Sequence, residues 1–175
     1  MDPLDRITVI QDDITVQDDV DCLVNAANES LAPGGGVCGA IHAAAGPGLA
    51  RECADIGHCA TGEAVATGAY HLPCEHVIHT VGPVWGGGGG DQEDDLLAAC
   101  YQESITLAAS LGCRSLAFPS ISTGTYGFPV DRAARVAVAA IADALADEPE
   151  IAEVRLVCFS GSDLAAYEAA LAELG

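Results

Sequence analysis

Two segments of this 175-residue chain have the residue types needed to hold a phosphorylated ligand. The first is Gly34-Gly35-Gly36-Val37-Cys38-Gly39, where missing side chains let backbone N–H groups come close to phosphate oxygens. A helix opening at about Val37 would add the positive end of its dipole. The second is Ser122-Thr123-Gly124-Thr125-Tyr126-Gly127, with hydroxyls and free N–H groups, again followed by a helix pattern from about Val130. Two such loops facing each other could hold a diphosphate without any lysine. The bland alternative is a pair of glycine turns with no ligand.

The first segment fits G-x-G-x-x-G, yet a dinucleotide site needs its glycines directly after a strand, within a βαβ unit. Here Ala27–Pro33 separate the preceding strand from Gly34, and no Asp or Glu ends the next strand, since Glu52 and Asp55 fall in a helix pattern. A nucleotide-dependent oxidoreductase is therefore disfavoured, while the phosphate role of the glycines stands. Asp12-Asp13-Ile14-Thr15 ends the first strand pattern, where a carboxylate could accept from an adenine amino group or cap a turn. Tyr126 and Phe159 flank the loops and suit a ribose or a base, although Phe159 would also serve as core.

The elements that must carry these loops follow from periodicity. Strand patterns cover 7–10, 22–26, 64–67, 77–81, 115–118 and 154–159; helix patterns cover 37–45, 47–56, 91–111, 130–145 and 162–174. Their interleaving, with several near-continuous apolar strands, predicts an α/β sandwich whose sheet is covered on both faces. Two strand patterns within 63–81 have no helix between them, so the sheet should be mixed. Residues 1–175 are expected to form a single domain, with Gly86–Gly90 as a surface excursion rather than a linker.

Composition narrows the partners. The chain carries 26 acidic residues against six basic ones, all arginine, for a net charge of −20. Direct nucleic-acid binding is not expected, because it needs cations to displace phosphate counterions. Such a chain repels itself at low salt, and at ~1 M the Debye length falls to roughly 3 Å; the balance suits a salt-rich, halophilic cytoplasm. No apolar run approaches the ~18 residues of a membrane span, and the acidic start Met1–Asp5 is unlike a signal peptide. A cytoplasmic protein with no membrane partner is the expectation. The eight cysteines contain no C-x-x-C pair and mostly sit in apolar runs, where a buried thiol packs as a small hydrophobe. Cys53, His58, Cys59, Cys74 and His76 have the types, though not the spacing, of a zinc site.

Taken in order, Asp12–Thr15, Val24–Asn28, Gly34–His42, Ala44–Pro47, Thr61–Ala64, Val77–Pro83 and Phe118–Gly124 resemble the macrodomain family, in its MacroD-type branch, over nearly the whole chain. The resemblance implies a three-layer α/β/α sandwich with a six-stranded mixed sheet. It implies a site for ADP-ribose: Asp13 and Ile14 at the adenine, Gly36 and Val37 on one side of the diphosphate, Ser122, Thr123, Gly124, Thr125 and Tyr126 on the other, Phe159 near the adenosine and Asn28 at the distal ribose. Asn25 and His42 would support the first loop. The implied reaction is hydrolysis of an ester at the distal ribose, in ADP-ribosylated Asp or Glu or in O-acetyl-ADP-ribose, with no metal or redox cofactor. MacroD-type hydrolases carry an aspartate ten residues after the second Asn; this chain has Cys38 there. Asn28 remains a catalytic candidate, Cys38 becomes a doubtful one, and a non-catalytic ADP-ribose reader is the rival expectation. A phosphatase acting on ADP-ribose-1″-phosphate carries less weight.

Overall fold

The computed structural model describes residues 1–86 and 91–175. The surface excursion expected at Gly86–Gly90 lies, from residue 87 on, outside the described residues. Six strands form one sheet: β1 (Ile7–Gln11), β2 (Cys22–Ala26), β3 (Ala64–Gly68), β4 (His76–Thr80), β5 (Ser115–Phe118) and β6 (Glu153–Cys158), in the order β1-β6-β5-β2-β4-β3. All neighbours pair in parallel except β3, which runs antiparallel to β4 at the edge. The expected mixed sheet is present, and the C-terminal ends of β1, β6, β5, β2 and β4 share one rim.

Alternation along the strands sends side chains to two cores. Val24, Ile78, Leu116, Phe118, Val154 and Leu156 pack under α3 (Asp91–Ser110), α4 (Val130–Asp147) and α5 (Gly161–Leu174). Leu23, Val77, Ala117 and Val157 pack under α1 (Gly36–Ala45) and α2 (Pro47–Ile56). The result is the three-layer α/β/α sandwich. Gly46, at φ 86°, ends α1 by donating to the His42 carbonyl at 3.1 Å, and Pro47 opens α2 at once. This junction fixes the direction of α1, and with it the loop before Gly36.

Residues 14–16 form a 3-10 turn capped by Asp13, the turn-capping alternative for that carboxylate, and β1 stops at Gln11. Two local features differ from the sequence reading. Ser160, two residues before the expected start, caps α5 by accepting from the Asp163 N–H at 3.2 Å. Cys22 and Cys113 are joined as a disulfide with Cα atoms 6.5 Å apart, rather than packing as separate thiols. The reason is topological: β2 and β5 are neighbours, and Cys113 lies just before β5. Among the described residues no helix is long and apolar enough to cross a membrane, and no three His, Cys, Asp or Glu groups stand in metal-holding geometry.

Candidate functional site

The loop leaving β2 is built around Asn28. Its Oδ1 accepts from the Ala32 N–H at 3.1 Å and the Ser30 hydroxyl at 2.9 Å, while Nδ2 donates to the Ala32 carbonyl at 2.9 Å. Leu31, at φ 57° and buried, closes the turn. The chain then runs through Gly34 and Gly35 into α1, whose first turn has no side-chain cap. Its leading N–H groups are thus free of protein side-chain partners, the arrangement that favours an anion. Gly39 N–H donates to the Gly35 carbonyl at 3.2 Å, and a Cβ on Gly39 would stand close against the carbonyl oxygen of Gly34, so only glycine lets helix and loop meet there.

The loop after β5 is braced independently. The Ser120 hydroxyl lies 2.7 Å from both Thr123 Oγ1 and Tyr167 Oη, and the Phe128 N–H donates to the Ser122 carbonyl at 2.9 Å. The Trp85 N–H donates to the Tyr126 carbonyl at 2.9 Å; the Trp85 ring packs on Phe128 at 4.7 Å between centroids, with the Arg132 guanidinium 5.1 Å above it. Arg132 is itself bound to Asp94, with two contacts of 2.8 Å. Loop and helix are thereby held against the rim.

Between the two loops lies a cavity of about 320 Å³. Residues 34–38 form one wall, 124–126 the other, and 26–28, Gly82 and 120–122 the floor and ends. Of the residues singled out from sequence, Asn28, Gly36, Val37, Cys38, Ser122, Gly124, Thr125 and Tyr126 meet here. Thr123 does not line the cavity; its hydroxyl turns to Ser120. Asp13, Ile14 and Phe159 also lie outside it, at the ends of the adjacent strands β1 and β6. Asp13 Oδ1 accepts from the Thr15 N–H at 2.9 Å and hydroxyl at 2.7 Å, which hold its carboxyl below the usual range. Ile14 is buried, while Phe159 is 87% exposed and so is not core. Since β6 neighbours β5, this exposed ring stands along the same rim as the cavity.

Behind the first loop lies a buried polar chain. Asn25 Nδ2 is 3.7 Å from Cys38 Sγ and 3.1 Å from His79 Nδ1. His79 Nε2 reaches Thr67 Oγ1 at 2.9 Å, with the Cys53 thiol at 3.8 Å. Burial, helped by the neighbouring His42, lowers the His79 pKa to about 4, so the ring is neutral. Cys38 completes the connection to the loop, its Sγ lying 3.7 Å from the Ala32 carbonyl, which Asn28 also engages. Asn25 and His42 are both buried behind the loop they were expected to support, with the His42 ring tilted 45° to that of His79 at 6.5 Å between centroids. Sequence reading missed His79 and the floor residue Gly82. The available signal was position: both sit at the end of a strand parallel to β2.

Residues 24–137 match the Macro domain family. A macro domain-containing protein of Chlorobaculum tepidum is 54% identical over 87% of this chain and 88% of its own length. The O-acetyl-ADP-ribose deacetylase of Cronobacter sakazakii is 47% identical over 96% of this chain and 94% of its own. The Oceanobacillus iheyensis macrodomain, solved with ADP, superposes with a TM-score of 0.90 at 39% identity, covering 95% of this chain and 90% of that one. Rim, paired loops and sequence agree, and the chain belongs to the Macro domain family.

Proposed function

We propose that this protein binds ADP-ribose in the cavity between residues 34–38 and 124–126 and hydrolyses an ester at the distal ribose. The observation that carries the reading is the pairing of an uncapped helix N-terminus with a second N–H-rich loop across one cavity that, among the described residues, no charged side chain lines. Such a site selects an anion able to span both loops, which a diphosphate does. The ADP in the O. iheyensis structure and the name of the C. sakazakii relative support the ligand class. Gly36 and Val37 donate from one side and Ser122 through Tyr126 from the other. Asp13, Ile14 and the exposed Phe159 sit along the rim where an adenosine would extend.

In this reading the distal ribose faces Asn28, whose Nδ2 has one hydrogen committed to Ala32 and a second left for a ribose hydroxyl. Water adds to the ester, giving a carboxylic acid and a free ribose hydroxyl. A rival reading as a non-catalytic reader is favoured by one observation: the position used for an aspartate holds Cys38, whose sulfur is already engaged by Asn25 and Ala32. Calorimetry with ADP-ribose in high salt should give micromolar or tighter binding, and absence of heat would overturn the proposal. Turnover of O-acetyl-ADP-ribose by wild type and Cys38→Asp then separates the readings. Measurable wild-type turnover supports the hydrolase; an inert wild type with an active aspartate variant identifies the reader.

A further inference from the structure

Ser30 is exposed, and among the described residues its hydroxyl makes a single hydrogen bond, donating to Asn28 Oδ1 at 2.9 Å. The backbone on either side of it is anchored. The Glu29 carbonyl accepts from the Cys59 N–H at 2.9 Å, and the Leu31 N–H donates to the Asn28 carbonyl at 3.0 Å, with the Leu31 side chain buried. Ser30 is thus placed by its neighbours, and its hydroxyl is carried to Asn28. An exposed hydrogen bond between neutral groups adds little to the stability of a fold. The contact is better explained by what it does to Asn28.

The Asn28 amide is held at three points. Ala32 supplies two of them: its N–H donates to Oδ1 at 3.1 Å, and its carbonyl accepts from Nδ2 at 2.9 Å. These two fix which end of the amide is oxygen, because a reversed amide would set donor against donor and acceptor against acceptor. They come from one residue and define an axis about which the amide plane can rock. The Ser30 hydroxyl, from a different residue, gives the third point and occupies the second lone pair of Oδ1. The remaining Nδ2 hydrogen is then the polar handle that Asn28 has left for a ligand. Nδ2 lies beside Gly34, where a Cβ would stand 3.5 Å from it, and both residues line the cavity.

Resting on the ADP-ribose reading above, we infer that Ser30 is a positioning residue for the distal ribose: its hydroxyl fixes the tilt of the Asn28 amide, so that the free Nδ2 hydrogen points at a ribose hydroxyl. Ser30 does not touch the ligand and acts through Asn28. The backbone donors of Gly36 and Val37 do not depend on it. A ligand that ends at the diphosphate, such as ADP, is therefore indifferent to Ser30, and one that carries the distal ribose is not.

Calorimetry with ADP-ribose and with ADP, on wild type, Ser30→Ala, Ser30→Thr, Asn28→Ala and the double variant, tests this. Ser30→Ala should bind ADP-ribose about threefold to tenfold more weakly and ADP as wild type does. Ser30→Thr, which keeps a hydroxyl, should restore ADP-ribose binding. Asn28→Ala should show its own loss for ADP-ribose alone, and adding Ser30→Ala to it should cost nothing further, since the hydroxyl then has no amide to orient. Wild-type affinity for ADP-ribose in Ser30→Ala overturns the inference. So does an equal loss for both ligands, which would mean that the whole loop has shifted. An additive loss in the double variant overturns it too, because the hydroxyl would then act independently of Asn28. A wild type that binds neither ligand overturns the ADP-ribose reading itself, and the inference with it.

Discussion

The side-chain amide of Asn25 donates to Nδ1 of His79 at 3.1 Å, and neither residue has any exposed surface. With Nδ1 accepting, the ring proton sits on Nε2 and points to Thr67 Oγ1, whose own hydrogen goes to the Gly68 carbonyl at 3.0 Å. The chain of donors is consistent only for a neutral imidazole.

That neutrality gives stability a pH dependence. His79 titrates at an ordinary 6.5 when unfolded and at about 4 when folded. Between these values the unfolded state binds the extra proton, so the stabilisation is complete above pH 6.5 and is lost as pH falls towards 4. His42, also lowered by burial, acts in the same direction. Denaturant titrations from pH 7 to 4 should show falling stability in wild type and a shallower fall in His79→Gln. Parallel curves would show that His79 does not titrate in this way.

Gly39 should tolerate no side chain. A methyl group there meets the Gly34 carbonyl, so Gly39→Ala must push the first loop away from α1. ADP-ribose affinity should drop by about tenfold or more, as expected when closely placed donors are displaced. An unchanged melting temperature of Gly39→Ala would show that the loss comes from the displaced loop and not from a lost fold. Equal affinities for wild type and Gly39→Ala would refute the close-approach argument.

Arg6 should be a stability hot spot far from the site. Its guanidinium is buried and donates to the carbonyls of Leu145 at 2.6 Å, Ile151 at 2.7 Å and Glu148 at 3.1 Å, tying the start of the chain to the end of α4. Replacing it with leucine removes all three bonds, although the Leu145 and Glu148 carbonyls each keep a backbone donor at 3.2 Å, and should cost about 3 kcal/mol, lowering the melting temperature by roughly 10 °C. Thermal unfolding would check this, with ligand affinity unchanged once the variant is folded.

Much of the frame was legible because each element carries its own local pattern. Pro47 and Gly46 bracket the α1–α2 junction in sequence as they do in space. The short apolar runs of β2 and β5 could only be interior strands. The two glycine loops were recognisable because phosphate-binding backbone needs glycine in any fold. Asp13 as a turn cap was among the alternatives, but the 3-10 form of residues 14–16 was not legible, because three residues carry no period. Nor was the polar chain behind Cys38. Its members come from three strands and a helix, and Asn25 meets His79 only because β2 and β4 pair in that register. Cys22 and Cys113 likewise come together through strand order, which spacing does not encode.

Among the described residues the cavity wall contains peptide groups, hydroxyls, an amide and a thiol, and not one charged residue. An anion seated there is met by fixed dipoles rather than by mobile cations. No arginine or lysine has to shed its own ion atmosphere when the ligand arrives, so the ligand does not compete with dissolved chloride for a charged partner. In such a seat the short contacts themselves depend little on the electrolyte, and what salt changes is the long-range repulsion of the acidic exterior, which weakens as the ionic strength rises.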